Sequence, residues 1–124
     1  MADSLTPEYA ASATSSKLAS FFKGSTGLKD ASGLDFGDIA LAPYCYSSMF
    51  SGCTSLTQTP ALTATALTER CYISMFYGCT SLTQAPELPA TELANNCYSN
   101  MFKGCTSLTT APELPATTLT ERCY

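Results

Sequence analysis

A 26-residue internal repeat constrains this chain more than any other feature of its sequence. The pair Cys-Tyr recurs at positions 45, 71, 97 and 123, and the three units between these marks share the frame CYxxMFxGCTSLTxxPxLxATxLxxx. A unit of this length buries its apolar face by stacking on its neighbours, which produces a continuous core. The repeat therefore predicts a solenoid, and 124 residues leave room for one such domain.

A weaker copy of the unit lies upstream of the first clear one. The segment KLASFFKGSTGLK aligns with CYSSMFSGCTSLT, which places Phe22 opposite Phe50 and Gly24 opposite Gly52. A terminal unit has one face without a neighbour, so a degenerate first repeat is expected. The predicted organisation is a lead-in over 1–16, a capping repeat over 17–44, three repeats over 45–122 and the start of a truncated fourth repeat at 123–124.

Each repeat is predicted to contain one short helix and one short strand. In CYSSMFSGC the apolar residues fall at i, i+4, i+5 and i+8, which is typical of one helix face, and a glycine follows where a left-handed residue would end the helix. The Thr-rich segment after it ends at a proline and favours a short parallel strand. The expected fold class is an α/β solenoid with helices over 45–51, 71–77 and 97–103 and strands ending near Pro60, Pro86 and Pro112.

The repeated apolar positions predict the core. The seven cysteines are spaced alternately by 8 and 18 residues, without the close pairs typical of zinc sites. Stacked cysteines would run parallel instead of meeting in disulfide geometry, so buried free thiols are favoured over a disulfide or a metal site. The predicted core comprises Cys45, Cys53, Cys71, Cys79, Cys97, Cys105, Met49, Met75, Met101, Phe50, Phe76, Phe102, Leu56, Leu82 and Leu108.

A tyrosine row accompanies this core. It comprises Tyr46, Tyr72, Tyr98 and Tyr124. Such a stripe could stack on a ligand, but packing of each ring against the next coil, with its hydroxyl in water, is favoured.

The repeat frame resembles the BspA-like (Treponema pallidum-type) leucine-rich repeat of bacterial surface proteins. In that family an apolar residue is followed by a small-Phe pair, a cysteine and a leucine, and here Cys45, Met49-Phe50, Cys53 and Leu56 hold these places. The resemblance covers about 17–124 and departs from the family in having Cys-Tyr where Ile-Gly is more usual. It implies a right-handed leucine-rich-repeat solenoid, used for adhesion or protein binding and without a catalytic site.

Residue chemistry argues against an enzyme. The chain has no histidine, so Ser-His and Cys-His pairs and His-containing zinc sites are excluded. The acidic residues Asp30, Asp35 and Asp38 lie close together, but no apolar concavity is predicted around them and their spacing matches no calcium loop. No catalytic residue, metal site or cofactor is expected.

The best candidate binding surface is a polar row on the exposed side of the predicted strands. Repeat proteins bind through such laterally repeated surfaces, although a plain solvent-facing strand has the same pattern. A protein partner, from a host or another copy, is favoured over a small molecule. The candidate residues are Thr57, Gln58, Thr83, Gln84, Thr109, Thr110, Glu87 and Glu113.

Charge and hydropathy limit the other partners. The net charge is −4 and the chain has no basic stripe with stacking aromatics, so nucleic acid is not expected. No apolar run is long enough for membrane insertion, and the N-terminus lacks the pattern of a signal peptide.

The sequence thus predicts a non-catalytic binding module, with bacterial cell-surface adhesion as the leading function. The resemblance implies a cell-surface or extracellular location. The alternatives are a structural component of a bacteriophage virion or tail, or a truncated fragment of a longer array. An open C-terminal coil would expose apolar surface, which predicts self-association there.

Overall fold

The chain forms stacked coils in which equivalent residues of successive repeats lie against each other. The computed structural model describes residues 19–34 and 41–123. Phe50 stacks on Phe76 with ring centroids 5.5 Å apart, and Tyr46 stacks on Tyr72 at 5.7 Å. Each 26-residue repeat therefore forms one coil, and like side chains form rows through the stack.

One side of each coil is a run of consecutive tight turns, here named the turn segment (residues 44–53, 70–79 and 96–105). Odd-numbered amides donate within the coil to the carbonyl three residues back, as Ser51 does to Ser48 at 3.1 Å. Even-numbered amides donate to the next coil, as Phe50 does to Met75 at 2.9 Å and Gly52 to Tyr77 at 2.7 Å. The backbone of each turn segment is thus divided between local turns and coil-to-coil bonding.

The helices predicted over 45–51, 71–77 and 97–103 are wrong, because the described residues contain no helix. An α-helix satisfies its amides internally, whereas here alternate amides bond the next coil. Rings stacked 5.5–6.0 Å apart also hold the coils closer than the roughly 8–10 Å at which helices pack. The apolar spacing reflects a four-residue period of turns, which over eight residues resembles the helical one.

The strand predicted in each repeat is also wrong. The described residues contain no strand. Pairing of the β type is limited there to two isolated parallel bridges between coils, Asp30 with Gln58 and Ala66 with Glu92. Prolines contribute to this result because a residue without an N–H cannot continue a ladder of backbone hydrogen bonds. The α/β class and its helix and strand per repeat are therefore replaced by stacked coils of turns and loops.

Positive backbone φ angles recur every fourth residue along the turn segments. In the turn segment 70–79 they occur at Arg70, Ser74 and Gly78, with φ of 55°, 55° and 73°. A side chain destabilises this left-handed conformation, and glycine avoids that cost. Space alone does not require glycine, because a Cβ on Gly104 would lie 3.4 Å from the Cα of Gly78, at the edge of ordinary van der Waals contact.

The predicted core residues lie inside the coils. Thirteen of the fifteen are buried, while Phe102 and Leu108 in the third full coil are partly buried. Tyr46, Tyr72 and Tyr98 are at most 5% exposed as whole residues. These tyrosines therefore belong to the core, and their hydroxyls are more shielded from water than the sequence predicts. Tyr124 lies outside the described residues.

Residues 19–34 form an N-terminal coil in register with the first full coil, which begins near residue 45. Phe22 stacks on Phe50 with centroids 5.7 Å apart and rings 6° from parallel. The amides of Ser20, Phe22 and Gly24 donate to the following coil at 2.8–3.0 Å. The proposed lead-in over 1–16 and residues 35–40 of the capping repeat lie outside the described residues, and the domain boundaries stay predictions.

Substitutions at Ser74 distinguish the turn segment from a helix. In a helix, alanine at this position would be more stable than glycine by about 1 kcal/mol. At a φ of 55° the order reverses, and we expect Ser74→Gly to exceed Ser74→Ala in free energy of unfolding by about 1 kcal/mol. Urea denaturation of both variants measures the difference, and a more stable alanine variant would contradict the turn structure.

A second substitution removes a buried polar group. The hydroxyl of Thr68 is buried beside the weakly hydrogen-bonding thiol of Cys71 and bonds no oxygen or nitrogen, and Ala94 occupies the equivalent place in the next coil. We expect Thr68→Val to raise the free energy of unfolding by about 1 kcal/mol, since the desolvated hydroxyl is removed while the shape is kept. Thr63→Val, at an exposed position, is the control. A loss of stability in Thr68→Val alone would count against this assignment.

Candidate binding groove

A groove lies between the proline-containing loops of two neighbouring coils. Its volume is about 540 Å³, and its two walls are residues 84–89 and 110–115. Each wall carries the same run, Pro-Glu-Leu-Pro, at 86–89 and at 112–115. The groove is within the size range of about 300–1,000 Å³ in which ligand pockets usually fall.

The backbone of both walls is free of hydrogen bonds. No backbone bond within the described residues involves 84–90 or 110–116. The preceding pair of coils likewise has no backbone bond between 58–63 and 84–89, but just beyond these loops Leu67 donates to Glu92 at 2.9 Å and Thr91 donates to Thr65 at 3.0 Å, and the equivalent residues of the second and third full coils form no such bond. The second and third full coils are therefore joined along their turn segments but separated at these loops, and the space between them is the groove.

The leucines of the two walls differ in exposure. Leu88 is 4% exposed, whereas Leu114, its equivalent in the next coil, is 43% exposed. The groove thus has a buried apolar residue in one wall and an accessible one in the other.

Two unpaired carboxylates belong to the groove walls. Glu87 and Glu113 are exposed, and they occupy equivalent positions in successive coils. The one ion pair within the described residues is elsewhere, between Glu69 and Arg70 at 3.7 Å. Arg70 also donates to the hydroxyl of Tyr44 and lies over its ring, 5.4 Å from the centroid. The groove therefore combines apolar surface with uncompensated negative charge.

The structure divides the eight predicted binding residues into two groups. Gln84, Glu87, Thr110 and Glu113 line the groove. The other four belong to contacts between coils: the hydroxyls of Thr57 and Thr109 donate to carbonyls of the preceding coil at 3.1 and 3.2 Å, Thr83 supplies one of those carbonyls, and Gln58 forms a bridge with Asp30. All eight residues are exposed. They do not form a single continuous row around the groove.

Sequence reasoning missed the apolar part of the groove. The prolines and leucines of the two Pro-Glu-Leu-Pro runs line it, together with Ala85 and Ala111. The sequence signal that could have indicated the groove is a difference between repeats. The first full repeat has Pro-Ala-Leu-Thr at 60–63, where the next two have Pro-Glu-Leu-Pro. A smaller apolar cavity of about 290 Å³ adjoins the groove and shares Leu88, Pro112 and Leu114 with it.

The cysteines have no disulfide partner and belong to the packing of the coils. All seven are free and buried. The thiols of Cys53, Cys79 and Cys105 each donate to a phenylalanine carbonyl of the preceding coil, at 3.1 Å. A buried thiol thereby adds a coil-to-coil hydrogen bond at the end of each turn segment.

Burial also makes these thiols poor nucleophiles. Desolvation raises the pKa of Cys53 to about 11 and that of Cys71 to about 12, and it raises the pKa of Cys45, Cys97 and Cys105 as well. Reactive thiols have the opposite shift, since the thiolate is the attacking species. The described cysteines are therefore structural groups.

Asp30, in the coil formed by residues 19–34, has a local structural role. The side chain of Asp30 accepts from the hydroxyl of Ser32 at 2.5 Å and from its amide at 2.8 Å, and these bonds lower the pKa of Asp30. Asp35 and Asp38 lie outside the described residues. Within 19–34 and 41–123, no group of three or more metal-ligating side chains is brought together.

The amides of Asn100, Phe102 and Gly104 occupy the coil-to-coil positions of the last turn segment. Their equivalents in the second full coil donate to Ser99, Met101 and Lys103, but these three have no partner within the described residues. Self-association through this coil stays a prediction.

No family model matches the chain, and comparison with curated proteins and with solved structures found no match. No helix in the described part of the chain is long and apolar enough to cross a membrane.

The raised thiol pKa values predict a loss of stability in alkaline solution. Below the ordinary thiol value of 9.0 both folded and unfolded chains keep the proton, and above it the unfolded chain ionises first. The free energy of unfolding should therefore fall as pH rises from 9 towards 11, with Cys71 contributing about 1 kcal/mol at pH 10. Urea denaturation in the presence of reductant measures this change. Cys71→Ala should have a shallower pH dependence, and an equal slope would contradict the assignment.

Proposed function

We propose that this chain is a non-catalytic module that binds protein segments in the groove between the loops at 84–89 and 110–115. The observation that carries the proposal is this groove, whose walls combine exposed side chains with unpaired backbone groups. Backbone N–H and C=O groups need partners, and an extended peptide supplies them at regular spacing. The walls therefore suit an extended chain better than a compact small molecule.

Residue chemistry supports a binding role over catalysis. The most nucleophilic side chains of the chain are its cysteines, which are buried, and desolvation raises the pKa of thiols such as Cys53 and Cys71 further from neutrality. The groove itself contributes carboxylates, an amide and a threonine hydroxyl among prolines and leucines. This set can orient a bound chain by hydrogen bonds and charge, while the rigid prolines limit the conformational entropy lost on binding.

The biological setting of the partner is part of the same proposal. The repeat frame resembles that of bacterial surface proteins used in adhesion, which favours a partner protein on a host or on another cell. The proposal requires only that the partner presents an exposed, extended segment.

A groove-filling substitution tests the proposal. Ala111 is exposed and lines the groove, whereas Ala61 is exposed in the first full repeat and does not line it. We expect Ala111→Tyr to block binding, with Ala61→Tyr as the matched control. The probe is a displayed library of random twelve-residue peptides, selected in parallel on the unmodified chain and on both variants.

The expected result is a set of peptides that bind the unmodified chain and Ala61→Tyr with at least roughly tenfold higher affinity than Ala111→Tyr, a difference of about 1.4 kcal/mol. Circular dichroism and urea denaturation establish that both variants fold. Peptides that bind all three proteins equally, or none at all, would overturn the proposal that the groove is the binding site.

A further inference from the structure

We infer that the groove selects an extended peptide carrying an arginine or lysine beside apolar residues. This inference rests on the proposed protein-binding function and specifies the partner's chemistry. Three properties of the groove lead to it: its negative charge, its apolar walls and its free backbone.

The charge of the groove favours a cationic occupant. Glu87 and Glu113 both line it, and neither has an ion pair within the described part of the chain. The groove contains no lysine or arginine of its own. A guanidinium or ammonium group placed between the two walls would face both carboxylates, and charge-assisted hydrogen bonds of this kind are stronger than neutral ones.

The apolar walls favour long basic side chains with apolar neighbours. Pro112, Leu114 and Pro115 present carbon surface beside the carboxylates. The methylene stem of arginine or lysine packs along such surface while its charged end reaches the acidic group. Apolar residues that flank the basic one can contact the exposed side chain of Leu114.

The free backbone favours an extended conformation of the occupant. The amides of Gln84, Ala85 and Glu87 in one wall have no backbone partner, and the other wall is equally unbonded. An extended segment offers alternating donors and acceptors, so it can bond a wall along its length. Contacts to the backbone supply affinity without sequence preference, which leaves selectivity to the carboxylates.

The repeats contain an internal comparison. The first full repeat has Ala61 where the later ones have Glu87 and Glu113. A pair of carboxylates therefore occurs only across the second and third full repeats, which are the two that form the groove. The basic specificity is accordingly assigned to this position in the stack.

The test uses a peptide array in which every position of seven-residue peptides is varied, probed with the full chain and four variants. Glu87→Gln/Glu113→Gln removes the groove charge. Glu92→Gln/Glu121→Gln is the matched control, because it changes the net charge equally at exposed residues that do not line the groove. Ala111→Tyr and Ala61→Tyr report whether binding occurs in the groove at all.

We expect peptides with arginine or lysine beside leucine or proline to bind the unmodified chain, and the groove variant Glu87→Gln/Glu113→Gln to bind them about tenfold more weakly. Replacing the peptide's basic residue by glutamine should have the same effect, and binding should weaken as ionic strength rises. The control Glu92→Gln/Glu121→Gln should bind like the unmodified chain.

Two results would overturn the inference, and they differ in what else they overturn. Peptides that lose binding with Ala111→Tyr but not with Glu87→Gln/Glu113→Gln would disprove the basic specificity and leave the binding function in place. Binding of every peptide that is unaffected by Ala111→Tyr would overturn the proposed function together with this inference.

Discussion

The division of backbone amides between two kinds of hydrogen bond is the constraint on which the rest of this structure depends. In the turn segments 44–53 and 70–79, one amide closes a local turn and the next reaches the following coil, as Met49 and Phe50 do. A helix would use every amide internally and leave nothing to join coils. Because half of the amides bond outward, the coils approach closely enough for Phe50 to stack on Phe76 at 5.5 Å.

Close approach explains the residues that the repeat retains. Rings of equal size stack in rows, and each stacked aromatic pair contributes about 0.5–1.5 kcal/mol beyond the area that it buries. Cysteine is small enough for the interior, and its thiol reaches a carbonyl of the neighbouring coil, as Cys79 does with Phe50. Glycine stacks over glycine because the backbone has a positive φ at this place in each coil, 73° at Gly78 and 80° at Gly104. The rows of the turn segments are nearly identical from repeat to repeat. Structural differences between repeats therefore occur on the other side of the stack.

The candidate groove arises from such a difference. The turn segments of the second and third full coils are bonded throughout, while their proline-containing loops share no backbone bond. Just beyond these loops the first and second full coils are joined by the bridge of Ala66 with Glu92, which has no equivalent between the second and third. A stack held tightly along one side and opened along the other provides a groove on a fixed support, which suits binding because the walls lose little conformational freedom when a ligand enters.

The repeat length, the core positions and the exposure of the threonine, glutamine and glutamate residues follow from the sequence by itself, since periodicity and hydropathy are properties of the chain. Four of the eight proposed binding residues also line the groove, including Glu87 and Glu113. The local structure of each repeat could not be predicted from the sequence by itself, because apolar residues at i, i+4, i+5 and i+8 fit both a helix and a run of four-residue turns. Only the tertiary structure decided between them, through amide hydrogen bonds to a neighbouring coil that no single repeat contains. The same holds for the groove, which lies between two coils and depends on the backbone bonds just beyond their loops that these two coils do not form.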